Sequence, residues 1–118
     1  MKIWLDDKRD PEQYGRGDWF WAMTAVEAIQ AFRRGDITKA SLDHDLTDRQ
    51  MILGGYNARI EDDGVMSGYD VVLWLEQNPE YWPKDGVAVH SQNPAGRSRM
   101  EIVIRKHYGR NFVCTPSW

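Results

Sequence analysis

SLDHDL, Ser41 to Leu46, sets two carboxylates and an imidazole in three consecutive positions, Asp43, His44 and Asp45. The residues before them, Lys39 to Leu42, read as a short strand that follows a helix and a turn. A strand ending in charged residues delivers them to the rim of a sheet. In open α/β sheets the rim at the carboxyl ends of the strands is where ligands bind. Two other stretches share this form. Lys2 to Leu5 is a short, mostly apolar run ending in Asp6 and Asp7. Val87 to Val89 is another, ending in His90, Ser91 and Asn93. Three apolar runs, each ending in chemically able residues, point to one shared site.

The rest of the chain fills in around these runs. Asp18 to Met23 is aromatic-rich and reads as a further strand. Thr24 and Glu27 have capping-box spacing, and Ala25, Ala28, Ile29 and Phe32 form one apolar helical face. Gly35 is placed to stop that helix. Thr47 to Met66 reads as an irregular excursion beside the site, either a lid or a surface insertion. Ser67 and Asp70 open a second helix with the same capping spacing, and its buried face is Val71, Val72 and Leu75. Asn93 suits an N-cap and Pro94 the first helical position of a third helix. This helix runs to about Tyr108, with Met100, Val103 and Ile104 inward and His107 on a semi-buried face. Phe112 to Thr115 reads as a last edge strand. Strands alternating with helices imply an α/β fold with a mostly parallel sheet of about five strands.

Composition bounds the function. The chain has 118 residues, the size of one domain. A formal charge of −3 argues against a duplex DNA footprint but leaves room for a nucleotide or a strand end. The single Cys114 rules out an intramolecular disulfide. The amino terminus reads MKIWLDDKRD, with no apolar signal segment, and no run reaches membrane-spanning length. The expectation is a cytoplasmic protein with no membrane partner.

The acids come first chemically. Asp6, Asp7, Asp43 and Asp45 would crowd one rim, and close carboxylates repel unless a cation or a raised pKa relieves them. Such oxygen-rich sites suit Mg²⁺. Alternatively Asp7 pairs with Lys8 or Arg9, and Asp45 caps a turn. His44 and His90 each follow an apolar run and would make an acid–base pair, with Asp43 beside them, for attack of water on a strained phosphodiester. The other reading of each is a structural imidazole. Ser91, Asn93, Gly96 and Arg97 stand where a strand passes into a helix, an arrangement that binds phosphate.

An acidic pair after the first strand, Asp43 after the third and the hydroxyl of Ser91 after the fourth resemble the receiver domain of two-component signalling. WLDD-x-R, SLDHDL, SGYD and VHSQNPAGRSRM together resemble a divergent branch, the cyclic-phosphate-processing receiver domains, from Trp4 to Met100. The resemblance implies a flavodoxin-like three-layer sandwich. It also implies a rim that handles a cyclic phosphate, such as a cyclic nucleotide or the 2′,3′-cyclic terminus of an RNA. Two departures from ordinary receivers stand out. The matching region Cys114-Thr115-Pro116 lacks the lysine that steadies a phosphoryl group, and the loop Lys8 to Gly17 replaces the first helix. Three functions follow as expectations: a phosphoesterase, a non-catalytic cyclic-phosphate binder and a degenerate signalling receiver.

Overall fold

The structure, a computed structural model, describes residues 1–44 and 67–114. In chain order it contains β1 (Lys2–Leu5), a turn of 3-10 helix (Pro11–Tyr14), β2 (Phe20–Ala22), α1 (Ala25–Arg33), β3 (Lys39–Leu42), α2 (Gly68–Gln77), a second 3-10 turn (Pro79–Tyr81), β4 (Val87–Val89) and α3 (Pro94–Tyr108). The strands form one sheet in the order β2-β1-β3-β4, and every pairing is parallel. This is the expected flavodoxin-like α/β architecture.

The helices begin where the sequence prescribes. Thr24 accepts from the amide of Glu27 while the Glu27 carboxylate accepts from that of Thr24, and Ser67 and Asp70 pair in the same way. Each box satisfies amides that a helix start leaves without a partner. Asn93 accepts from the Gly96 amide, and Pro94, which has no amide to satisfy, opens α3.

The three helices among the described residues cover one face of the sheet. Ile3, Leu5, Ala40, Leu42, Val87 and Val89 join Ala28 and Phe32 of α1, Val71 and Leu75 of α2, and Met100 and Ile104 of α3 in one buried cluster. Strand side chains alternate between faces, so Trp4, Ser41 and Ala88, which stand in one row, belong to the other face. There the third layer is, among the described residues, a loop rather than helices. The Trp4 ring stacks on Tyr14 at 5.5 Å and meets Trp19 edge-on at 6.5 Å, and its indole N–H donates to the Arg9 carbonyl. The loop expected from Lys8 to Gly17 is therefore an aromatic cover.

Three expectations need adjustment. The described residues contain four strands rather than about five. Residues 112–114 run beside β4 and give it one backbone bond, from the Val89 amide to the Cys114 carbonyl at 2.8 Å. The Phe112 amide donates instead to the Gly109 carbonyl, and its carbonyl accepts from Arg105 Nε. Thr115 lies outside the described residues. The second strand is also shorter than Asp18 to Met23, because the Trp19 amide closes a turn onto the Arg16 carbonyl. His107 is exposed on α3, where its ring lies flat on Trp82 at 4.6 Å. No helix among the described residues is long and apolar enough to cross a membrane.

Candidate functional site

Adjacent strands bring the acids together. β1 and β3 pair directly, and the ladder continues one step past each strand end. The Asp43 amide donates to the Leu5 carbonyl and the Asp6 amide to that of Ala22. Asp6, Asp7 and Asp43 are buried, and one carboxylate oxygen of each lies within 4.8 Å of the others. Asp45, the fourth expected member, lies outside the described residues, as does the excursion from Thr47 to Met66.

The three acids are not equivalent. Asp6 Oδ1 accepts from the amides of Lys8 (2.8 Å) and Arg9 (2.9 Å), and Oδ2 faces Arg9 Nη1 (3.3 Å) and His90 Nε2 (3.0 Å). A carboxylate offers about four lone-pair sites, and these contacts occupy them all. Burial alone would raise the Asp6 pKa. The hydrogen bonds from His90 and from the Arg9 and Lys8 amides outweigh it and hold Asp6 below its ordinary value of 3.8. Asp6 is thus a fixed anion within a polar network. A divalent cation here would be held by Asp7 and Asp43, with the nearby Asp6 adding charge. Two buried carboxylates backed by a third suit a hard oxygen-seeking ion such as Mg²⁺.

His90 follows β4 on the Trp4 face, and its side chain is completely covered. The ring stacks on Trp4, centroids 4.1 Å apart and planes 9° from parallel. Nε2 contacts Asp6, and Nδ1 lies 2.8 Å from Ser41 Oγ. An ionised Asp6 only accepts, so Nε2 carries the hydrogen. Burial pushes the His90 pKa below its ordinary 6.5, against the opposing pull of Asp6. The ring is then neutral, and Nδ1 accepts from the Ser41 hydroxyl. The sequence cast His90 as half of an acid–base pair. The structure places it under the rim with both nitrogens engaged.

This burial has a pH signature. The unfolded chain binds a proton at His90 near pH 6.5 and the folded chain resists it. Folding stability due to His90 is therefore complete above pH 6.5 and is lost as pH falls below it. The melting temperature should decline from pH 7.5 to 5, and the decline should be shallower in His90→Asn. Equal slopes in the two proteins would mean that the ring is not held neutral.

His44 occupies a different setting. Its amide donates to Asp43 Oδ1 (2.8 Å), and its carbonyl accepts from the Gly68 amide (3.0 Å) at the start of α2. Its half-buried ring lies against Gly96 in the first turn of α3. A Cβ on Gly96 would come within 2.5 Å of ring carbons and 2.7 Å of Nδ1. A Cβ on Gly68 would stand 1.9 Å from the Asp43 carbonyl oxygen. Two glycines at two helix starts therefore grip the Asp43–His44 corner. The close approach that Gly96 permits is that of an imidazole.

The remaining expected phosphate residues are largely tied into α3. Ser91 Oγ accepts from the Asn93 amide, and Asn93 Oδ1 accepts from that of Gly96. Arg97 Nε donates to Glu101 at 3.0 Å, one helical turn along. The site also includes residues that the sequence reading passed over. Ser41 was legible as a lone hydroxyl in an apolar strand, and a buried hydroxyl needs a partner. Arg9 and Trp4 left no such mark, because they join the site through His90, which lies more than eighty residues from either.

A family model described as "Cyclic-phosphate processing Receiver domain" matches residues 1–106. No curated protein and no solved structure matches the chain. The match takes in all four strands, the acid cluster, both glycine contacts and most of α3. The chain belongs to the family of cyclic-phosphate processing receiver domains.

Proposed function

We propose that the rim opens a cyclic phosphodiester by hydrolysis, with His44 as the group that moves the proton. The observation that carries this reading is the seating of His44 on Gly96, next to Asp43 and the buried acid cluster. His44 takes a proton from the attacking water as oxygen bonds to phosphorus. The opposite ring P–O bond breaks, and the released alkoxide takes a proton from solvent. Strain in a five-membered ring lowers the demand for a second acid. When bound, Mg²⁺ would supply charge stabilisation at the phosphoryl oxygens. Asp7 and Asp43 would hold it. His90, through Asp6, keeps this wall of the site in place and acts as a positioning residue. The first turn of α3, beside His44, favours negative charge through its dipole.

A non-catalytic cyclic-phosphate binder is the second reading. It is favoured by the burial of His90, which leaves one described imidazole near the rim. Chromatography of adenosine 2′,3′-cyclic phosphate and of a short RNA with a 2′,3′-cyclic terminus separates the two. Hydrolysis predicts a monoester product. Recovery of unchanged ligand from a stable complex would replace hydrolysis with binding.

A further inference from the structure

A cyclic phosphate carries negative charge into a rim already lined by three carboxylates, so it needs a cation of fixed position. The lysine that serves this purpose in ordinary receivers has no counterpart in Cys114-Thr115-Pro116. Most of the described arginines near the sheet are committed elsewhere. Arg97 and Arg105 both pair with Glu101 along α3, and Arg105 Nε also donates to the Phe112 carbonyl. Arg16 donates to the Tyr14 carbonyl and lies over Trp19 at 5.4 Å.

Arg9 is different. It stands two residues after the acidic pair, and its Nη1 contacts Asp6 Oδ2 and the His90 carbonyl, both at 3.3 Å. Those contacts tether the guanidinium to two buried groups from two different strand ends. Its side chain remains 28% exposed. Among the described residues nothing accepts from its Nε or Nη2. That edge of a guanidinium is the planar fork that matches two oxygens of a phosphate.

We propose that Arg9 binds the substrate, its Nε and Nη2 donating to the two non-bridging oxygens of the cyclic phosphate while Nη1 stays on Asp6 and His90. This inference rests on the proposed reading of the rim as a cyclic-phosphate site. It assigns anion recognition to the loop that replaces the first receiver helix. Lysine would keep the charge but lose the fork.

Two measurements test it. The first is steady-state hydrolysis of adenosine 2′,3′-cyclic phosphate by wild type, Arg9→Lys and Arg9→Gln, with melting temperatures as a control for the Asp6 contact. Loss of two charge-assisted bonds should raise KM roughly ten- to hundredfold, with a smaller change in kcat. An active wild type with KM unchanged in Arg9→Lys would overturn the role of Arg9 and leave the hydrolytic reading intact. The second follows the Arg9 Nε–H resonance of wild-type protein by ¹⁵N NMR as inorganic phosphate is added, which involves no variant and no turnover. A saturable shift is expected. A resonance unmoved at saturating phosphate would reject the contact. If no ring opening occurs but the resonance shifts, the hydrolytic reading falls and anion binding by Arg9 stands.

Discussion

Replacing His44 with alanine should lower kcat for ring opening by about 10²–10⁴-fold, the usual worth of one proton transfer. The fold should persist, because the ring is half-buried at the rim and lies outside the hydrophobic cluster. Gly96→Ala gives an independent view of the same group. The added methyl would meet the ring at 2.5 Å, and an imidazole can swing away where a backbone cannot. Alanine is also the better helix former, by roughly 1 kcal/mol in a helix interior. Gly96→Ala should therefore lose activity without losing stability. The measurements are steady-state rates and thermal melts of both variants. Full activity in His44→Ala would remove the imidazole from the chemistry and return the site to a binding role.

The second large effect is expected at Gly68, with the opposite sign for stability. A glycine-to-alanine change at a helix start ordinarily costs nothing and gains some propensity. Here the methyl would stand 1.9 Å from the Asp43 carbonyl oxygen and 2.9 Å from its carbon. Neither methyl nor peptide has a rotamer by which to escape, so α2 and the Asp43–His44 corner must separate. Overpacking of this kind costs about 1–3 kcal/mol. The bond from the Gly68 amide to the His44 carbonyl would weaken as well, adding about 1 kcal/mol. These terms exceed the propensity gain. Gly68→Ala should melt earlier than wild type and lose activity with it, in thermal scans and the ring-opening assay. A variant as stable and active as wild type would show that the corner can shift without cost.

The comparison of Gly68 with Gly96 shows where local reading stops. Both glycines sit in quoted motifs, SGYD and VHSQNPAGRSRM, and both lie in the first turns of helices whose caps were evident from spacing alone. Capping boxes, the Asn93–Pro94 start and apolar periodicity act over three or four residues. That range is why α1, α2, α3 and the runs Lys2–Leu5, Lys39–Leu42 and Val87–Val89 were all readable. The convergence of Asp6, Asp7 and Asp43 was also readable, because acids at the ends of neighbouring parallel strands must meet at one rim.

The orientation of the histidines was not readable. His44 and His90 look alike in sequence, each an imidazole after an apolar run, yet one is at the rim and the other is sealed beneath it. The difference depends on which sheet face each side chain takes and on what covers that face. Trp4 stacks on His90 and Ser41 bonds it from 49 residues away, and Asp6 reaches it across 84. By itself, then, the sequence determined the helices, the strand runs and the set of acids, all consequences of short-range spacing and strand alternation. Tertiary structure alone decided which imidazole lies at the rim, which carboxylate has its lone pairs filled and which guanidinium keeps an edge that no described residue accepts from. Those outcomes depend on burial and on hydrogen-bond partners that only the packed sheet brings within reach.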